Sequence, residues 1–167
     1  MPFTPVHMGP GLLIKALLQG SFSLMVFGWT QIVMDVQPLW VMIVGHGHLH
    51  GFSHTIIGSS LIAIFAALTG KYLSEFGLKI IGIAKPSQPI NIAWWEAFLS
   101  AFIGSYSHVV LDAIMHGDVQ PGYPLTLANP LLAIISVSTL HKLCLYSGML
   151  GAVLFYIVHW YTRKKHY

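Results

Sequence analysis

Two stretches of the chain, residues 55–73 and 142–161, stay apolar for about the 20 residues a helix needs to cross the hydrocarbon of a bilayer. Their lysines, Lys71 and Lys142, stand only near the ends. Such runs leave few options, because backbone in lipid must satisfy its own N–H and C=O groups, and helices do so within one segment. A third long helix is expected over 93–116, opened by Trp94 and Trp95 like an interfacial belt and ended by Gly117. Composition points the same way. The chain is 55% hydrophobic and 8% charged, where soluble domains carry roughly 25% charge. So few charges cannot coat a globular surface. The expected fold is all-α, a polytopic membrane helical bundle forming a single domain over residues 1–167.

The remaining segments are shorter. Residues 11–19 read as an amphipathic helix carrying Lys15, and 21–36 as an apolar stretch holding Asp35, with Pro38 disturbing helix nearby. A short apolar run over 39–45 leads into a Gly- and His-rich loop, 45–53. Residues 78–83 suit an interface. Residues 117–130 form a Pro- and Gly-rich loop, and 131–140 an apolar, re-entrant segment. The N-terminus lacks a basic region followed by an apolar core, so no cleavable signal peptide is expected. Cys144 is the one cysteine and lies in an apolar run, which excludes an intrachain disulfide and a Cys-rich zinc motif. The net charge of +3 is not clustered, so nucleic-acid binding has no support. No Walker loop, dinucleotide fingerprint or Gly-x-Ser-x-Gly elbow is present.

Basic residues follow the first long span (Lys71, Lys79, Lys85) and the last (Arg163, Lys164, Lys165). If 131–140 does not cross, both groups lie on one side, which the positive-inside rule makes cytoplasmic. His54 opens its helix on the opposite side, and His108, Asp112 and His116 lie towards the end of theirs on that side too. Two helices of opposite direction thus bring polar ends together away from the cytoplasm.

Ten histidines against five acids are unusual in a chain so poor in polarity. His108, Asp112 and His116 recur every four residues along one helix face, each step rising about 6 Å. His108 and Asp112 can share one metal ion, His108 and His116 cannot, and Asp112 can bridge two ions. An aspartate within an apolar helix costs about 2.5–3.5 kcal/mol on insertion scales unless a partner compensates. No Arg or Lys lies near it in this helix. A divalent cation, which neutralises carboxylate and accepts neutral imidazole, is the natural partner. Asp35 repeats that argument. In the run His46-Gly47-His48-Leu49-His50-Gly51-Phe52-Ser53-His54, His54 faces the proposed site and is favoured as a ligand. His50 can reach the same region. His46 and His48 read as water-facing, His141 as a reserve candidate, and His159 and His166 lie at the basic end.

Taken together, Met1-Pro2-Phe3-Thr4-Pro5-Val6-His7, Asp35, Gly51-Phe52-Ser53-His54-Thr55 and Ser107-His108-x-x-Leu111-Asp112 occur in an order that resembles a family of bacterial and archaeal inner-membrane proteins. These are described as membrane-bound metal-dependent hydrolases, distantly similar to zinc-dependent phospholipase C and the zinc single-strand nucleases. The resemblance covers about residues 1–125. It implies that Asp35, His54, His108 and Asp112 ligate one metal, and that His7 joins Asp112 at a second. Where many members carry His-Arg-Gly, this chain has Leu49-His50-Gly51, so His48 or His50 is the substitute. One or two Zn²⁺ ions are expected.

The resemblance further implies hydrolysis of a phosphoester, either a lipid or another substrate beside the membrane, by a metal-activated water. His50, His116 and Asp118 are then candidates for proton transfer or support around Asp112, under a loop over 117–127. The expected location is the inner membrane, with the C-terminus cytoplasmic and the metal site on the other side. The alternative is a non-catalytic protein that binds or transports metal, to which the histidines at 46, 48 and 50 would be suited.

Overall fold

The structure, a computed structural model, describes residues 5–83 and 90–164. Its helices are α1 (Met8–Leu18), α2 (Leu24–Met34), α3 (Val36–Val44), α4 (Ile56–Ile80), α5 (Trp94–Met115) and α6 (Val137–Lys164). Short 3-10 turns occupy Pro5–His7, Gln19–Ser21 and Phe52–His54, and no strand occurs among the described residues. Helices α4, α5 and α6 are long and apolar enough to cross a membrane. Met1–Thr4, Lys85, Pro86, Pro89, Lys165 and His166 lie outside the described residues.

Several boundaries differ from expectation, each for a local reason. Helix α1 begins at Met8 rather than residue 11, and Pro10 is its third residue. Pro38 likewise is the third residue of α3. First-turn N–H groups have no acceptor within the helix, so proline there forfeits no hydrogen bond. The apolar run 39–45 is therefore helix, and it stops at Gly45, whose φ of 78° closes the C-terminus in the left-handed region. The run 131–140 is turn and bend over its first part, and its last four residues, from Val137, belong to the last long helix. Ser136 Oγ accepts from Thr139 N at 3.2 Å, capping α6, which takes Val137 onward into the last long helix. Helix α4 continues to Ile80, so the first half of the stretch at 78–83 is its last turn and the rest is a turn that follows it.

Contacts fix the directions. Ser23 N donates to Ser100 Oγ (2.8 Å) and Gln31 Nε2 to Gly104 O (3.0 Å), so α2 and α5 run side by side in the same sense. Helix α4 opposes them, with Ser60 beside Tyr106 and Lys71 beside Ile92. Helices α1 and α6 are parallel, since Gly9 lies against Cys144, and Leu12 and Leu13 against Gly151. The starts of α1, α4 and α6 and the ends of α2 and α5 therefore gather at one end of the bundle. The α1–α2 turn lies at the other, where Lys15 Nζ donates to Gln19 O (2.7 Å) and Phe22 O (2.6 Å).

Packing is inverted relative to a water-soluble domain. The core between α2, α4 and α5 contains Val26 with Ala63, Ala66, Ala67, Ala97 and Ala101, whereas Leu61, Ile64, Phe65 and Leu68 of α4 are exposed. Small residues inside bring backbones close, and large apolar ones outside suit an apolar surrounding. At the end away from His54 and His108, buried Lys71 donates to Glu75 Oε1 (2.5 Å), Asn91 Oδ1 (2.7 Å) and Ile92 O (2.6 Å). Glu75 Oε1 also accepts from Ile92 N (2.8 Å), and this knot joins α4 to the start of α5.

Candidate metal centre

Four segments converge where the polar ends meet. Asp35 sits at the joint of α2 and α3, and His54 ends a 3-10 turn that Thr55 couples to α4 by accepting from Gly58 N (2.9 Å). His108 and Asp112 lie one turn apart on α5, and His7 precedes α1. All five are buried. The loop after α5 folds back over this end. Asn129 Nδ2 donates to Ala113 O (2.8 Å) and His116 O (3.2 Å), and Ile56 N donates to Pro121 O (2.9 Å).

The geometry centres on the Asp112 carboxylate. Its Oδ2 is 3.1 Å from His54 Nε2, 3.2 Å from His108 Nε2 and 4.0 Å from His50 Nε2, and its Oδ1 is 3.7 Å from His7 Nε2. His108 Nε2 is also 3.5 Å from Asp35 Oδ1. Ligand atoms at about 2.0–2.1 Å around a tetrahedral ion stand roughly 3.3–3.4 Å apart. The His54–Asp112, His108–Asp112 and His108–Asp35 separations, 3.1, 3.2 and 3.5 Å, scatter about that value. One ligand atom from each of Asp35, His54, His108 and Asp112 lies within 4.8 Å of the others, so this buried group can hold a metal ion.

The imidazoles are presented as ligands. Gln31 Nε2 is committed to Gly104 O, so its Oε1 accepts from His108 Nδ1–H at 2.6 Å. That orients the ring and turns Nε2 towards two carboxylates. Two carboxylates facing Nε2 call for a positive charge between them, a proton on the ring or a metal ion, and His108 Nε2 has no hydrogen-bond partner despite full burial. Both ring nitrogens of His7 are equally unpartnered. Burial, reinforced by the neighbouring His108, pushes the pKa of His7 down to about 4, and burial also lowers that of His54. Both are neutral donors near pH 7. Ser53 Oγ holds His54 Nδ1 at 2.8 Å and leaves Nε2 directed at Asp112.

A second group stands at the mouth. His50 Nδ1 lies 2.9 Å from both oxygens of Asp118, and the His50 ring stacks on His116 at 4.4 Å. Burial favours the neutral carboxylic acid of Asp118, but its hydrogen bond with His50 prevails and holds its pKa below the ordinary value. Burial and the adjacent His50 lower the pKa of His116. These three residues are also close enough to share an ion.

The structure thus gathers His7, Asp35, His50, His54, His108 and Asp112, with His116 and Asp118 adjoining. His46 and His48 are exposed in the loop, His141 is half-buried and near enough to His7 to lower its pKa, and His159 stacks on Phe155 towards the far end of α6. Gln31 and Ser53 escaped the sequence reading. Gln31 did carry a signal, a polar residue one helical turn before Asp35 in an apolar stretch. Gln31→Leu is expected to weaken metal binding about 10–100-fold, as loss of an outer hydrogen-bond partner does, with the helical fold retained. Metal titration of the purified variant checks this, and unchanged affinity would show that Gln31 does not orient His108. Compared with known proteins, the chain matches no family model, no curated protein and no solved structure.

Proposed function

We propose that this chain is a membrane-embedded, metal-dependent hydrolase acting on a phosphoester, with Zn²⁺ held by Asp35, His54, His108 and Asp112. The observation that carries the reading is the pairing of a buried ligand quartet with an adjacent base. His50 gives its Nδ1–H to Asp118, which leaves Nε2 free to accept a proton on the side facing Asp112. A cation in the quartet would lower the pKa of a bound water and offset charge on phosphoryl oxygens. His7, held neutral by burial, supplies a further donor beside Asp112 Oδ1. His116, stacked on His50, keeps that ring in place.

Imidazole and carboxylate donors suit zinc, which takes neutral nitrogen and oxygen ligands without preferring one geometry. The α4, α5 and α6 spans would cross the inner membrane, with the basic ends cytoplasmic and the metal centre on the other side. A transporter would carry polar residues along several spans at mid-membrane. Here the metal-binding side chains collect at one end, and the buried polar groups further along α4 and α5 are serines, with Lys71 paired to Glu75 at the remote end.

The test combines metal analysis with turnover. Protein purified in detergent is expected to retain about one or two zinc ions per chain and to hydrolyse a phosphodiester such as bis(p-nitrophenyl) phosphate. Intact spheroplasts should hydrolyse a membrane-impermeant phosphodiester added outside. Metal without turnover on a broad phosphoester panel would favour storage or transport, and turnover only after lysis would reverse the orientation.

A further inference from the structure

A groove of about 600 Å³ runs along α2, between the start of α1 and the far half of α4. Its walls are apolar: Leu24, Met25, Trp29 and Ile32 of α2, Met8 of α1 and Leu73 of α4. Met25, Ile32 and Leu73 are also among the exposed apolar residues, so the groove opens sideways from the bundle rather than only at its end. His7 and Asp35 of the metal centre line it too, and Asp35 stands just past the end of α2. His7 is buried, and neither of its nitrogens has a partner. A polar group brought to that end meets an unsatisfied imidazole.

Length and floor fit a particular occupant. From Leu24 to Asp35 the groove follows α2 for about 16 Å at 1.5 Å per residue. One leaflet of hydrocarbon is about 15 Å deep, half of the roughly 30 Å core. Gly28 lies at mid-groove, where a Cβ would stand 3.3 Å from Met8 Cε. Glycine inside a helix is less stable than alanine by about 0.5–1 kcal/mol. Its missing side chain lets Met8 lie against α2, so that a large residue here would drive Met8 or its own side chain into the channel.

We propose that this groove takes one acyl chain of a phospholipid that enters sideways from the bilayer, its phosphoester held at the His7–Asp35 end. The substrate class is then a membrane lipid and not a soluble phosphoester. This rests on the hydrolase reading for turnover, but occupancy of the groove stands apart from it.

The experiment uses full-length protein in phosphatidylglycerol vesicles containing a phosphatidylglycerol with a diazirine on one acyl chain. Photolysis is expected to label α2 between Met25 and Ile32 in the wild type. In Gly28→Phe that labelling should fall at least tenfold, with metal content as in wild type. The ratio of phospholipid to bis(p-nitrophenyl) phosphate turnover should also fall at least tenfold. Ile32→Trp, which obstructs the mouth from an exposed position, is the second variant should Gly28→Phe fail to fold. Label spread equally over the outer faces of α4 and α6, or label on α2 that survives both substitutions, would overturn the proposal. So would an unchanged turnover ratio. If the wild type hydrolyses neither substrate, the hydrolase reading fails, and the labelling alone decides the groove.

Discussion

Asp112→Asn is expected to strip metal from the purified protein and bring hydrolysis to background. The substitution conserves volume, so its effect is electrostatic. Asp112 is the carboxylate on which His7, His50, His54 and His108 converge. Asparagine removes the negative charge and one strong donor together, and the amide nitrogen left behind repels a cation. The loss in metal affinity should exceed the roughly 10–100-fold that follows removal of an outer partner such as Gln31. Zinc per chain after desalting, measured beside the rate on bis(p-nitrophenyl) phosphate, checks both parts. Full zinc content with an unchanged rate in Asp112→Asn would remove the basis for the centre.

Gly9→Val is expected to destabilise the fold more than Asp112→Asn, Gln31→Leu or Gly28→Phe. A Cβ at Gly9 would lie 1.9 Å from Cys144 O, and one at Gly151 would lie 2.4 Å from Leu13 N of α1. The atoms in the way are backbone, so α1 and α6 must separate. Over-packing of this kind costs about 3 kcal/mol, the upper part of its usual range. Separation also withdraws His7, which stands two residues before Gly9, so zinc affinity should fall along with the melting temperature. Thermal unfolding in detergent, followed by circular dichroism with and without zinc, reads both effects. A melting temperature within a degree of wild type would mean that α1 and α6 are not in close contact.

Much of the helical arrangement was legible because lipid-crossing length and apolar composition leave a strong signal. His108 and Asp112 were equally legible, since their spacing of four within one apolar helix leaves them side by side whatever surrounds them. His54 could be placed from the directions of two spans. Other features depend on contacts distant in sequence, which leave no period to read. Gln31 meets His108 from 77 positions away, and Asn129 caps α5 from a loop. The pairing of α1 with α6 depends on Gly9, Gly148 and Gly151, residues that look like helix breakers when read alone. Pro38 misleads in the same way, because its effect turns on whether it falls in the first turn of a helix or later.

The knot of Lys71, Glu75 and Ile92 has a consequence for how the proposed ion would be acquired. Because α4 and α5 are bolted at the remote end, sliding of one past the other is blocked whether or not an ion is bound, and His54 already faces Asp112. Loading then resembles closing a socket on a plug more than folding around a nucleus. Uptake should follow a single bimolecular phase proportional to free zinc, with helix content constant throughout.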